Sequence, residues 1–224
     1  LFFEPDEVPE DLEERVGAIA AESGLEGFRL AGLIDVVREN WHENWRQYFK
    51  PVRLSPTLEI RPSWYKPSFS VPGDSTGESI PAPHAGVTVL YIEPGMAFGT
   101  GTHATTQLCL RQVERLVRPE VSVLDCGTGS AILAIAAVKR GAGRVVGFDI
   151  DPEVEENARL NLELNDLPAD AVEIRIGGLD SVPQTEAFDV ILCNMLSREF
   201  LPILLDLARY LKPAAHLVLS VLLE

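Results

Sequence analysis

The sequence predicts an α/β fold built on a mostly parallel, doubly wound sheet, and three observations lead to this prediction. Strands and helices alternate regularly from residue 94 onward. A glycine-rich turn follows the first strand of this region, and an acidic residue ends the next strand. Regular alternation of this kind is typical of parallel sheets that carry helices on both faces.

The start of the chain predicts a small domain that is represented only in part. Apolar residues recur at helical spacing through residues 4–22, and residues 28–34 have the pattern of a strand. One helix and one strand are too little for an independent core. We therefore interpret residues 1–38 as part of a small α+β domain whose beginning is absent.

A second helix is predicted over residues 36–49, with three aromatic residues on one face: Trp41, Trp45 and Phe49. This face indicates packing at a junction between domains, and a surface for a protein partner is the alternative. Pro51 would end the helix. We accordingly expect residues 39–50 to link the partial domain to a second domain at residues 51–224.

The second domain combines an irregular region with the alternating elements. Residues 68–86 are rich in proline and glycine and predict a long exposed loop. A strand is predicted at residues 87–92. Helices are then predicted at residues 104–117, 131–140, 152–165 and 198–211. Strands are predicted at residues 121–126, 144–149, 172–176, 188–193 and 216–221.

The net charge of −15, from 34 acidic and 19 basic residues, limits the class of partner. Such a charge repels phosphate backbones, so we expect no direct readout of a nucleic acid. It would attract a cationic partner. The alternative is that the acidic residues only keep the protein dissolved.

The cysteines and the hydropathy pattern indicate the compartment. The three cysteines lie far apart in the sequence: Cys109, Cys126 and Cys193. An odd number without metal-like spacing predicts neither a disulfide framework nor a zinc site, and it favours a reducing cytoplasm. No apolar run reaches the roughly 18–20 residues that a membrane-spanning helix needs, so we expect no membrane partner.

The glycine-rich turn at residues 125–131 is the first candidate site. Gly127 and Gly129 would let a ligand approach the backbone closely. A dinucleotide-binding turn needs a small residue where this chain has Ile132. Asp125 at the start of the turn would repel a pyrophosphate but could attract an ammonium group. The turn therefore favours a cofactor that carries an amino acid, and a purely structural turn is the alternative.

An acidic residue ends the next predicted strand. Asp149 lies 22 residues after Gly127 (149 − 127), close to the usual interval of about 20 between a glycine turn and a ribose-binding acid. We therefore predict that Asp149 accepts hydrogen bonds from both hydroxyls of a ribose. Asp151 precedes Pro152 and is predicted to cap the following helix.

Two further segments carry candidate residues. Asn194 follows the strand predicted at residues 188–193, and its amide could orient a cofactor or a nitrogen nucleophile. Glycines, hydroxyl groups and His103 are concentrated in residues 93–106, which suggests backbone amides gathered around a ligand. His103 could serve as a general base, but we favour a structural hydrogen-bonding role for it.

Four segments together resemble the PrmA family, the bacterial methyltransferases of large-subunit ribosomal protein eleven. They are residues 93–106, 125–131, 147–152 and 193–196. Residues 99–106, Gly-Thr-Gly-Thr-His-Ala-Thr-Thr, are the most specific of them because ordinary methyltransferases lack this block. Residues 41–51 and 61–64 also look like the family's junction between its domains.

The resemblance implies a seven-stranded, Rossmann-like class I methyltransferase domain that holds S-adenosyl-L-methionine, and a small N-terminal domain that captures a basic ribosomal protein. The methylated groups would be lysine ε-amines and the N-terminal α-amine. The family's cofactor positions match four residues here: Thr106, Gly127, Asp149 and Asn194. Asp125 and Gly129 complete the expected cofactor site, and Asn194 is the catalytic candidate. We expect a monomeric, cytoplasmic enzyme.

The sequence also departs from the family pattern. Ala131 stands where the family has glycine and is expected to crowd the cofactor slightly. Later glycines of the family are replaced as well: Ala214, Ala215 and Val221. The chain also ends at Glu224, earlier than the family's last strand would require. Two alternatives therefore stay open: the same fold acting on another protein lysine or a small molecule, and a cofactor-binding protein without catalysis. The intact Thr106, Asp149 and Asn194 argue against the second alternative.

Overall fold

The computed structural model describes four stretches of the chain: residues 11–23, 49–67, 85–94 and 101–222. The chain forms two compact units, Leu1–Asn44 and Trp45–Glu224. In the first unit the structure describes helix α1 (Leu12–Glu22), which confirms that part of the first predicted helix. Three predicted elements lie outside the described residues, wholly or almost wholly: the strand at residues 28–34, the helix at 36–49 and the loop at 68–86. Within the described stretches, no helix is long and apolar enough to cross a membrane.

The second unit begins with a three-stranded sheet. Its strands are β1 (Val52–Ser55), β2 (Leu58–Pro62) and β3 (Thr88–Ile92). β1 and β2 are antiparallel, whereas β2 and β3 are parallel. The strand predicted at residues 87–92 is confirmed as β3, but β1 and β2 were not predicted. In β2, buried Arg61 and Glu59 form an ion pair at 2.8 Å, so charged residues interrupt the apolar pattern of a buried strand.

Five parallel strands form the main sheet. They are β4 (Ser122–Cys126), β5 (Arg144–Asp149), β6 (Glu173–Ile176), β7 (Phe188–Leu196) and β8 (Leu211–Leu222). Their order is β6-β5-β4-β7-β8, and every neighbouring pair is parallel. The predicted parallel α/β sheet is therefore confirmed, while a count of seven strands stays a prediction. From β4 the chain adds β5 and then β6 on one side, and it then crosses to add β7 and β8 on the other side of β4. The topological switch point therefore lies between β4 and β7.

Four helices were predicted after residue 94. Three of them are confirmed, and the prediction of one helix at residues 198–211 is wrong. The confirmed helices are α2 (Ala104–Leu116), α3 (Ile132–Lys139) and α4 (Glu153–Leu164). The helix predicted at residues 198–211 is replaced by two short helices and a 3-10 turn: α5 (Ser197–Phe200), α6 (Leu204–Leu207) and Ala208–Tyr210. Pro202 explains the break, because it has no amide hydrogen and its ring collides with the preceding turn of a helix.

Strand β8 begins five residues earlier than the strand predicted from residue 216 (216 − 211). Its pairing with β7 shifts between Phe188↔Leu211 and Val190↔His216, so β8 accommodates extra residues at this point. Ala214 lies within the shift and has a φ of +63°. This left-handed conformation is one that glycine adopts readily and alanine does not.

The core consists of two main clusters of buried residues. The larger one joins α2, α3 and α4 to the three-stranded sheet through residues such as Leu58, Leu110, Ile135 and Leu162. The other contains residues of β5, β7 and the segment after α6, including Phe148, Phe188 and Tyr210. Burial of these aliphatic and aromatic side chains contributes about 1.5–3 kcal/mol for each large one, and it fixes the strands whose ends carry the site.

Asp189 ties together the amino-terminal ends of three strands. Its Oδ2 atom accepts hydrogen bonds from the Ser122 amide at 2.8 Å, the Ser122 hydroxyl at 2.7 Å and the Lys212 ammonium group at 2.8 Å. Burial alone would raise the pKa of Asp189, but the hydrogen bonds from Lys212 and Ser122 outweigh it and lower the pKa to about 2. The carboxylate thus holds β4, β7 and β8 together at the end of the sheet opposite the site.

We expect Asp189→Asn to lower the free energy of unfolding by about 1 kcal/mol at pH 7, a modest figure because the carboxylate is partly exposed. The folded-state pKa lies below the ordinary value of 3.8. The stabilisation is therefore complete above that value and is lost as the pH falls toward 2. Urea unfolding at pH 7, 4 and 3 should show the difference narrowing with acid. Asp206→Asn, at an exposed ion pair with Arg209, is the control and should change stability little.

Candidate functional site

The structure brings the predicted site residues to one edge of the main sheet. The glycine turn (residues 127–131) follows β4, Asp149 ends β5, and Asn194 lies near the end of β7. Because β5, β4 and β7 are neighbours in that order, these tips meet at the switch point. Ligands of open α/β sheets bind in this position.

The glycine turn requires left-handed backbone conformations. Gly127 has a φ of +65° and Gly129 a φ of +50°. A Cβ atom on Gly127 would lie 3.0 Å from Cε of Met195, the end of a flexible side chain, so the backbone conformation is the main reason for glycine at this position. Ala131 also adopts a φ of +61° and is fully buried in the larger core cluster. Its methyl group thus packs in the core, and the cost of alanine at this position is strain in the backbone.

Asp125 is buried beneath the turn. Its Oδ2 atom accepts hydrogen bonds from the Thr128 hydroxyl at 2.8 Å and the Ala134 amide at 3.2 Å. Burial raises the pKa of Asp125 to about 7, although both hydrogen bonds oppose the increase. The Thr128 side chain fits because residue 147 is glycine: a Cβ atom on Gly147 would lie 2.9 Å from Oγ1 of Thr128. Asp125 therefore joins the turn to the start of α3, and its predicted contact with an ammonium group stays a prediction.

Asp149 connects the turn to the tip of β5. Its Oδ2 atom accepts a hydrogen bond from the Gly129 amide at 3.0 Å, and its Oδ1 atom accepts one from the Asp151 amide at 3.1 Å. Each carboxylate oxygen can accept about two hydrogen bonds. Both oxygens of this oriented, half-buried carboxylate can therefore receive one more donor, which is the arrangement that a pair of ribose hydroxyls requires.

Asp151 caps α4, as the sequence predicts. Its Oδ1 atom accepts a hydrogen bond from the Glu153 amide at 2.9 Å. Pro152 between them has helical dihedral angles, φ −64° and ψ −23°. The two aspartates thus differ in role. Asp149 binds the turn, and Asp151 accepts a hydrogen bond from a backbone amide in the first turn of α4.

Asn194 and Thr106 form a buried polar pair. The Nδ2 group of Asn194 donates a hydrogen bond to Oγ1 of Thr106, on α2, at 3.1 Å. Asn194 is 8% exposed, and none of the described residues donates to its buried Oδ1 atom. A buried acceptor without a donor is costly. Its position at the switch point therefore fits a ligand that brings an N–H or O–H group.

His103 and Gly101 have structural roles at the start of α2. The Nδ1 atom of His103 is 2.8 Å from the Thr105 hydroxyl and accepts a hydrogen bond from the Thr105 amide at 3.4 Å, so His103 caps the helix. Gly101 has a φ of +81°, and a Cβ atom there would lie 2.7 Å from Cδ1 of Ile60. Glycine at this position allows the backbone before α2 to lie close to Ile60 of β2.

Sequence reasoning missed two buried asparagines, Asn161 on α4 and Asn165, which directly follows α4 as its C-cap. Asn161 donates to the Ser130 carbonyl of the glycine turn at 2.9 Å, and Asn165 binds the backbone of Tyr91 in β3. The spacing of four residues places both on one face of the helix. Two asparagines on the otherwise apolar face of a helix were the signal available in the sequence. Thr106, in contrast, was identified only through the family resemblance.

The strand order, the glycine turn and the polar tips of β5 and β7 define a Rossmann-like domain of the class I methyltransferase type. Comparison with known proteins identifies the family within this class. The family model described as ribosomal protein L11 methyltransferase (PrmA) matches residues 9–224. The chain belongs to this family.

Individual relatives agree with the family model. The chain is 39% identical over 207 residues to the ribosomal protein L11 methyltransferase of Symbiobacterium thermophilum, covering 89% of this chain and 62% of the relative. It is 44% identical over 190 residues to that of Pelobacter propionicus, covering 83% of this chain and 56% of the relative. The chain thus spans about three fifths of the length of these relatives. The crystal structure of a ribosomal protein L11 methylase from Lactobacillus delbrueckii subsp. bulgaricus superposes with a TM-score of 0.62 at 31% identity, covering 75% of this chain and 78% of that chain.

The strain at Ala131 can be measured by comparing two glycine substitutions. Ala131→Gly and Ala134→Gly each remove a methyl group from a fully buried residue and add the backbone entropy of glycine. Only the first also relieves a left-handed conformation. We therefore expect Ala131→Gly to be more stable than Ala134→Gly by about 1–2 kcal/mol in urea unfolding. Equal stabilities would contradict the assignment of strain to residue 131.

Proposed function

We propose that this chain binds S-adenosyl-L-methionine and transfers its methyl group to amines of a basic protein, ribosomal protein L11. The observation that carries the proposal is the buried Oδ1 atom of Asn194, to which none of the described residues donates. It lies at the switch point together with the oriented carboxylate of Asp149. The names of its relatives support the choice of acceptor, since they are ribosomal protein L11 methyltransferases.

Each candidate residue has a defined task in holding the cofactor. Asp149 would accept the two ribose hydroxyls on the free positions of its oxygens. Gly127 and Gly129 would let the amino-acid part of the cofactor approach the backbone. Asp125, beneath the turn, would interact with the ammonium group of the cofactor, whose positive charge would favour the ionised form of this buried carboxyl group. When bound, S-adenosyl-L-methionine supplies a methyl group on a positively charged sulfur atom.

Asn194 is the proposed catalytic residue, and Thr106 holds it in place. An amine must lose a proton before it can accept a methyl group, and a lysine ε-amine has a reference pKa of about 10.4. Burial of the amine in the site would lower that pKa because it disfavours the charged form. The Oδ1 atom of Asn194 would accept a hydrogen bond from the amine and orient its lone pair. Alignment of this kind supplies much of the rate of a displacement reaction.

The acceptor is proposed to be a cationic protein because the chain carries a net charge of −15. Attraction between exposed charges increases association rates and is screened over about 8 Å at physiological ionic strength. Residues 1–38 would belong to the module that captures the protein. We propose a monomer without direct nucleic-acid readout. The three cysteines are buried and free, which supports a reducing cytoplasm.

Calorimetry with S-adenosylhomocysteine tests the cofactor site. Asp149→Ala should weaken binding by roughly ten- to a hundred-fold, because charge-assisted hydrogen bonds contribute about 1.5–3 kcal/mol. Asp151→Ala should lower stability by about 1 kcal/mol through loss of a cap and leave affinity nearly unchanged. NAD should not bind. Loss of binding in Asp151→Ala alone would mean that the roles of the two acids are reversed.

Transfer of label tests the acceptor. The chain, or the longer protein that contains it, is incubated with ribosomal proteins and cofactor labelled in its methyl group. Label should appear in ribosomal protein L11, and Asn194→Ala should slow its appearance about a hundred-fold through misalignment of the amine. Label in a different protein would replace the proposed acceptor. Absence of label with intact cofactor binding would identify a protein without catalysis.

A further inference from the structure

We propose that Asn161, on α4, is a positioning residue for the glycine turn and thereby for the cofactor, an inference that rests on the function proposed above. Asn161 has 0% exposure and lies behind the turn, on the side of α4. It would act on the cofactor only through the backbone that it holds. None of the sequence motifs includes it.

The Asn161 side chain joins the turn to the end of β3. Its Nδ2 group donates hydrogen bonds to the Ser130 carbonyl at 2.9 Å and to Oδ1 of Asn157 at 3.1 Å. Its Oδ1 atom accepts a hydrogen bond from the Glu93 amide at 2.8 Å. Both N–H groups and the carbonyl oxygen are therefore engaged, so the orientation of the amide is fixed.

Three consecutive residues of the turn are each held by a different element. Strand β4 binds the Thr128 hydroxyl through Asp125, β5 binds the Gly129 amide through Asp149, and α4 binds the Ser130 carbonyl. The first two contacts come from acids at the strand tips. The third comes from the side-chain amide of Asn161 on α4. Loss of this hydrogen bond should loosen the last part of the turn more than the first part, which Asp125 and Asp149 hold.

Asn161 also binds the backbone directly after β3. The Glu93 amide that it binds lies directly after β3, where the segment leading to Thr106 begins. One side chain thus fixes both the turn under the cofactor and the origin of the segment that carries the partner of Asn194. A buried amide that bridges two backbone groups is rigid because a buried polar group left without a partner is costly.

Asn165, the C-cap residue directly after α4, is a matched control four residues from Asn161. It is 3% exposed. Its Oδ1 atom accepts from the Tyr91 amide at 3.0 Å, and its Nδ2 group donates to the carbonyls of Tyr91 at 2.6 Å and Asn161 at 2.8 Å. Each asparagine therefore makes three side-chain hydrogen bonds. Asn165 fastens the helix to the edge of β3 without contacting the turn.

The experiment compares Asn161→Ala with Asn165→Ala by thermal unfolding and by calorimetry with S-adenosylhomocysteine. Both variants should lose thermal stability to a similar degree. Only Asn161→Ala should weaken S-adenosylhomocysteine, by about ten-fold, while Asn165→Ala should change its Kd less than about two-fold. The milder pair Asn161→Ser and Asn165→Ser replaces each amide with a hydroxyl group that can still form a hydrogen bond, and it gives the same comparison if an alanine variant does not fold.

Hydrogen exchange of the backbone amides at residues 129–131 provides a second readout that needs no ligand. Exchange there should be faster in Asn161→Ala than in Asn165→Ala. Equal Kd values and equal exchange in the two variants would overturn the proposal. A wild-type chain that binds no S-adenosylhomocysteine would overturn the proposed function, and the exchange comparison would then decide separately whether Asn161 holds the turn.

Discussion

The hydrogen bond from the Gly129 amide to the Asp149 carboxylate fixes the site to the sheet. It joins a turn that follows β4 to the tip of β5, at 3.0 Å, and it requires the left-handed backbone that the glycine turn adopts. The second oxygen of Asp149 accepts from the next loop at Asp151. The carboxylate is therefore oriented before any ligand arrives, so a ligand need not pay for ordering it.

Buried polar groups around this bond account for much of the specificity of the local structure. Asp125, Asn161 and Asn194 are almost fully buried, and each would destabilise the fold if its partners were lost. For Asp125 and Asn161 the partners are backbone and hydroxyl groups of the same edge and, for Asn161, also the side-chain amide of Asn157. Asn194 differs because its Oδ1 atom finds no donor among the described residues. This contrast supports our proposal that Asp125 and Asn161 belong to the framework of the site, whereas Asn194 meets the ligand.

Much of this arrangement could be predicted from the sequence, because it depends on local patterns. Apolar segments predicted β3, the five strands of the main sheet and three of the helices that alternate with them, and the interval between Gly127 and Asp149 identified two tips of the sheet. Local patterns did not predict features that depend on contacts between distant parts of the sequence. β2 carries a buried ion pair that is satisfied only within the fold. The contacts of Asn161 and Asn165 are to backbone atoms 31 and 74 residues away. Pro202 was a local signal, and its effect on the predicted helix was overlooked.

The two alanines with left-handed backbones, Ala131 and Ala214, bear on whether the departures from the family pattern disable the site. Ala131 packs into the hydrophobic core, and Ala214 lies in the register shift at the start of β8, at the end of the sheet away from the turn. Both substitutions therefore act on backbone conformation, at a cost of about 1–2 kcal/mol each, and neither adds a side chain between Asp149 and Asn194. A stability cost of this size is compatible with a folded domain when the core is extensive. These two departures thus affect the backbone of the scaffold, while Asp149 and Asn194, which we propose to meet the cofactor and the acceptor amine, are unchanged.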